Sequence, residues 1–150
     1  MLRHQHNYLG KVSKRLTDKS DVTTMLHVGV DIVELPRIAS AVQRWGDRFL
    51  LRIYTPEELA FSKGRTPQLA SRFAAKEAVM KALGTGVRGV SWREIEIVRQ
   101  RGKAPEVRLH GRAAARAAKL GLTVLAISLS HSREYAVASV VGEAHEDRHQ

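Results

Sequence analysis

The chain has 150 residues, 43% hydrophobic and 5% aromatic, with 25 Lys and Arg against 15 Asp and Glu and a net charge of +10. That length suits one core and not two comfortable domains, and no apolar run approaches the roughly 20 residues that span a bilayer. The absence of cysteine removes disulfides, thiolate metal sites and thiol nucleophiles, while the positive charge attracts anions without choosing among phosphates, acidic proteins and nucleic acid.

Residues 1–25 are polar and basic without hydrophobic periodicity, and read as a flexible extension, a leader or upstream mis-start, ahead of a domain at 26–142. The run HVGVDIV at 27–33 alternates Val28, Val30 and Ile32 with Gly29 and Asp31, which predicts a strand with one polar face. Leu35, Ile38, Val42, Trp45 and Phe49 then recur at helical spacing, with Arg37, Arg44, Arg48 and Arg52 on another side of the wheel and Gly46 as a candidate interruption. Thr55, Pro56 and Glu58 carry the signature of a helix start, and Gly64 of its end.

The clearest helix is predicted over 67–83, closing on Gly84. The glycine-rich stretch behind it follows a helix rather than preceding one, the wrong context for a dinucleotide or Walker phosphate loop. Strands at 92–100 and 106–110 flank a turn, 113–120 is a short alanine-rich helix, and strands at 124–130 and 135–141 bracket SHSRE ahead of a polar tail at 143–150. The elements do not alternate as βαβ units, so the expected fold is α+β: one compact domain with a mainly antiparallel sheet packed on a long helix.

Asp31 is an acid inside an apolar strand and requires compensation from an arginine, a turn or a bound cation. Gly29, on the same strand face, leaves room for a ligand there. On the long helix Glu77 and Lys81 share a face, as an ordinary ion pair also would. Ala70 and Ala74 flatten that face enough to admit a phosphate. Lys76 falls among Leu69, Phe73, Met80 and Leu83, so it either snorkels or serves a ligand. A strand carboxylate with a helix carboxylate and a lysine makes a sensible magnesium site, because magnesium takes one or two carboxylates and fills its remaining positions with phosphate oxygens and water. The residues by themselves reach phosphoryl or phosphate-ester transfer as a reaction class. A basic nucleic-acid-binding module and a magnesium-dependent phosphoesterase stand as alternatives.

VGVDIVELPRI at 28–38, RFAAKEAVMKALGTG at 72–86 and SLSHSREYAVASVV at 128–141, in this order and spacing, resemble the holo-acyl-carrier-protein synthase family of phosphopantetheinyl transferases. The likeness runs from about Leu26 to Val141, and its mild departure is Ala104, between Lys103 and Pro105, where a direct Lys-Pro is usual. The resemblance implies transfer of 4'-phosphopantetheine from coenzyme A to a serine of apo-acyl carrier protein, in support of fatty acid biosynthesis. It implies a cytoplasmic homotrimer with active sites between subunits, and neither nucleic acid nor membrane as partner. By the same comparison Asp31 and Glu77 hold Mg2+ and, with Lys81 on the diphosphate, form the catalytic set. Arg72, Lys76, Gly84, Thr85, Gly86 and His131 are implied as further coenzyme A contacts, His131 from the adjacent subunit. Arg37, Arg44 and Arg48 are read as a docking face for the acidic carrier protein.

Overall fold

The computed structural model describes residues 22–147. In chain order they form β1 (Val22–Glu34), α1 (Leu35–Trp45), α2 (Asp47–Ile53), α3 (Pro56–Ser62), α4 (Thr66–Leu83), a 3-10 turn (Trp92–Glu94), β2 (Ile95–Val98), β3 (Glu106–Leu109), α5 (Gly111–Lys119), β4 (Leu122–His131) and β5 (Tyr135–Asp147). β1, β5 and β4 make an antiparallel sheet in that order, and β2 pairs with β3 as a separate hairpin. This is the expected α+β arrangement, with α4 laid across the inner face of the three-stranded sheet.

Several local signals in the sequence act as read. Gly46, at φ 52, separates α1 from α2. Thr55 and Glu58 cap α3 reciprocally: Glu58 N–H donates to Thr55 Oγ1 at 3.3 Å and Thr55 N–H to Glu58 Oε1 at 3.0 Å. α4 ends on Gly84 at φ 67. Other boundaries move. The strand expected over 92–100 is confined to Ile95–Val98, because Ser91 and Glu94 close a capping box that turns Trp92–Glu94 into a 3-10 helix. β1 begins before the apolar run and β5 continues past Gly142, since antiparallel pairing from Val22↔Asp147 through His27↔Gly142 gives both backbones their partners whatever the side chains are. Residues 22–25 of the expected extension and most of the expected tail are therefore strand; the remainder of both lies outside the described residues.

The core corrects two readings. α4 is buried almost all round, with Ala70, Ala74, Ala75, Ala78, Val79 and Leu83 at 0% exposure. The sheet face beneath it carries the small residues Gly29, Ala136 and Ala138. A Cβ on Gly29 would lie 1.8 Å from the carbonyl oxygen of Ala78, so this glycine admits the backbone of α4 and not a ligand. Ala70 and Ala74 likewise face the core rather than a phosphate. Conversely Val28, Val30 and Ile32, the apolar half of the β1 alternation, are each more than half exposed on the far side of the sheet. There Val28 stands opposite Val141, and Val141 in turn opposite Ala126. Alternation sorts residues onto two faces; the packing of α4 decides which face is inside.

Candidate active site

Asp31 projects from the inner face of β1 toward the last turns of α4. Lys81 Nζ donates to Asp31 Oδ1 at 3.2 Å and to the Val30 carbonyl at 2.8 Å. The Asp31 side chain is 12% exposed and that of Lys81 54%, so the ammonium reaches from solvent to a largely covered carboxylate. Glu77, one turn earlier on α4, is half-buried. Burial pushes its carboxyl up, the neighbouring Asp31 pushes the same way, and Lys81 and Arg37 pull against both. Two carboxylates crowded at one spot hold a proton too tightly, and a hard divalent cation relieves the same repulsion with the oxygen ligands that magnesium prefers. The pair fits such an ion. Among the described residues no cluster of three or more His, Asp or Glu adds a further ligand, so a cation here would draw its remaining oxygens from water and from a substrate phosphate.

Lys76 requires correction. Its ammonium is fully buried, 2.6 Å from Glu58 Oε1, and it also donates to the carbonyls of Ile95 at 2.6 Å and Trp92 at 3.1 Å. An ammonium has three protons, and all three are engaged within the core. Lys76 neither snorkels nor has a donor left for coenzyme A. Burial lowers its pKa and Glu58 works against that. Glu58 Oε2 accepts the Ile97 N–H at 3.2 Å, so the pair ties α3, α4 and β2 together.

Arg72 is also buried, at 2% exposure, but its donors are not all engaged. Its guanidinium lies 4.4 Å from the centre of the Phe61 ring and Nη1 donates to the Gln68 carbonyl at 3.3 Å, while Nε and Nη2 are buried without a partner. Burial lowers its pKa, and the charge of Glu58 opposes that. Arg72 and His131 line one cleft of about 260 Å³, and Arg99 stands in the same wall. Orphaned buried N–H groups on a cation are costly, and an anion would satisfy them. Sequence reading brought Arg72 and His131 together only through the resemblance, and it missed Arg99. The one available signal, a basic residue just past β2, does not say which cleft that residue enters. None of Asp31, Glu77 and Lys81 lines this cleft, so the candidates fall into two groups within the chain.

At the end of α4, Gly84 N–H donates to the Lys81 carbonyl and Thr85 N–H to that of Met80, the paired bonds of a Schellman turn. Thr85 Oγ1 is buried without a partner and Gly86 is exposed. Arg37, Arg44 and Arg48 are exposed along α1 and α2. Arg44 covers the ring of Trp45 at 4.9 Å. Trp45, which shares its helical spacing with the buried Leu35 and Ile38, is half exposed, and with Arg48, Phe49, Arg52, Phe73 and Trp92 it lines a groove of about 590 Å³. The wheel of α1 alone does not reveal this groove, because Phe73 and Trp92 come from distant elements. Among the described residues no helix is long and apolar enough to cross a membrane.

Residues 27–140 match the sequence profile of the 4'-phosphopantetheinyl transferase superfamily. The chain is 50% identical over 123 residues to the holo-[acyl-carrier-protein] synthase of Koribacter versatilis, covering 79% of this chain and 98% of that protein. It is 51% identical over 119 residues to that of Dehalococcoides mccartyi, covering 79% and 99%. Among solved structures it resembles the Helicobacter pylori holo-[acyl-carrier-protein] synthase in complex with coenzyme A, with TM-score 0.70, 33% identity and 77% and 98% of the two chains covered. The Neisseria meningitidis synthase superposes with TM-score 0.72 at 38% identity, covering 79% and 98%.

Proposed function

The chain belongs to the 4'-phosphopantetheinyl transferase superfamily, and from that membership we propose that it transfers the 4'-phosphopantetheine arm of coenzyme A to a serine of apo-acyl carrier protein. The serine oxygen gives up its proton to Glu77 or to a water and forms a bond to the β-phosphorus as the bond to adenosine 3',5'-bisphosphate breaks, and the holo-carrier serves fatty acid biosynthesis. The observation that carries this reading is the crowded pair Asp31 and Glu77 beside Lys81, within a chain 50% identical to a holo-[acyl-carrier-protein] synthase.

Asp31 and Glu77 would hold Mg2+, which when bound neutralises diphosphate charge. Lys81, held by Asp31 Oδ1 and the Val30 carbonyl with its own side chain 54% exposed, would turn its ammonium from Asp31 Oδ1 to a phosphate oxygen at little cost. Arg72, Arg99 and His131 offer a second anionic subsite, suited to another phosphate of coenzyme A. Arg37, Arg44 and Arg48 present a positive face to the acidic carrier protein and speed encounter. We extend the reading to a cytoplasmic homotrimer. Its support is the exposed face of Val28, Val30, Ile32 and Val141, an apolar patch whose burial against a second copy is favourable. An intersubunit site would also unite the two groups of residues that stand apart in one chain. The nucleic-acid and phosphoesterase alternatives account for neither the family match nor the order of the three sequence blocks.

Incubation with coenzyme A, Mg2+ and an apo-carrier protein, followed by weighing the carrier, tests the proposal. The expected result is a mass gain of one phosphopantetheine. An unchanged carrier overturns it.

A further inference from the structure

The segment 84–91, between α4 and the 3-10 turn, is tied to α5 on both sides, through Leu83 at the end of α4 and through Glu94, which bridges Ser91 to Arg112. At the first end Arg116 Nε donates to the Leu83 carbonyl at 3.0 Å, and Arg116 Nη2 lies 3.6 Å from where a Cβ on Gly84 would stand. The Schellman bonds satisfy the carbonyls of Met80 and Lys81 but not that of Leu83, one of the four that a helix end leaves without an intrahelical donor. Arg116 supplies that donor from 33 residues away, with a positive charge where the helix dipole is negative. At the other end Glu94 accepts Ser91 N–H at 2.6 Å and Arg112 N–H, in the first turn of α5, at 2.9 Å. A Cβ on Gly111 would lie 2.5 Å from Glu94 Oε1, so the absence of a side chain there is what admits the carboxylate. Between these two fastenings lie Gly84, Thr85 and Gly86, and the helical turn just before them carries Lys81.

We propose that α5 is a clamp on this segment and that Arg116 is a positioning residue for coenzyme A binding. It touches no reacting group; it fixes the turn at the end of α4, and so the direction from which Lys81 and the backbone of Gly84 to Gly86 approach the diphosphate. The inference rests on the proposed transferase reading for its ligand, while the clamp itself stands on the bonds above.

The test compares wild type with Arg116→Leu and Arg116→Lys by amide hydrogen exchange and by steady-state transfer. In Arg116→Leu, exchange is expected to rise within 84–91 and not in β1 or β5. KM for coenzyme A should rise several-fold, with kcat and the KM for the carrier near wild type. Arg116→Lys, which keeps a donor for Leu83 but loses the guanidinium along Gly84, should fall between the two. Exchange unchanged at 84–91 overturns the clamp. A rise spread evenly over the chain, with both KM values moving in parallel, overturns the positioning role in favour of general destabilisation. Should Arg116→Leu fail to fold, Arg116→Lys carries the same readings, and wild-type exchange and KM in it overturn the proposal. A wild-type protein inert toward coenzyme A defeats the transferase reading, while the exchange data still decide the clamp.

Discussion

Lys76 and Lys81 stand on the same helix and each faces a carboxylate, yet one side chain is 0% exposed and the other 54%. Lys76 is held by Glu58 and two backbone carbonyls, with every proton engaged. Lys81 is held by Asp31 and one carbonyl at the rim of a half-buried acidic pair. The difference separates a charge that joins three elements from a charge free to change partners. A buried ion pair is costly to break because the survivor remains desolvated, whereas an exposed one is worth little to stability and so is cheap to redirect toward a ligand.

The largest effect expected is at the open pair. Asp31→Ala and Glu77→Gln should each lower transfer by about three orders of magnitude, the size of a lost ion-mediated contact, while thermal unfolding stays near wild type. Turnover close to wild type in either variant would remove these residues from the site. At the closed pair Lys76→Met leaves Glu58 buried and unpaired, and should destabilise the fold by about 3–5 kcal/mol. Combining it with Glu58→Leu should recover a large part of that loss in denaturant unfolding. The contrast collapses if Lys76→Met instead leaves stability intact and raises KM for coenzyme A. Lys81→Met is the mirror case: stability should change by less than about 1 kcal/mol, with transfer falling about tenfold or more.

The smallest effect is a pH dependence. Glu77 binds its proton more tightly folded than unfolded, so this group favours the fold at low pH. Its contribution is lost as pH rises from the usual carboxylate range through the raised value. Melting temperatures without divalent ions should therefore decline over that window, and if the ionised pair holds Mg2+ as proposed, added Mg2+ should cancel the decline. A slope that persists unchanged in Glu77→Gln would assign it to another group.

How much of this was legible in the sequence differs from residue to residue. Thr55 with Glu58, Gly46 and Gly84 were readable because caps and left-handed turns are satisfied within a few residues of chain. Asp31, Glu77 and Lys81 were readable as candidates, one by its charge in an apolar strand and two by helical spacing, with the family resemblance supplying their roles. Glu58 is the instructive miss as a core ion: its neighbours in sequence show a capping residue, and its second function depends on Lys76, 18 positions away.

The sequence by itself determined the α+β class, the extent of α4, the strand pairs of the closing hairpin and the membership of each alternating face. Only the tertiary structure decided that the Val28, Val30 and Ile32 face points outward, that Gly29 and the alanines of α4 serve close packing, that Lys76 is closed and that Arg72, Arg99 and His131 share one cleft. The physical reason is that periodicity relates a residue to its own element. Burial and partnership depend on which other element arrives against it, and here that is α4, pressed so closely on β1 that its backbone fills the space a side chain on Gly29 would need.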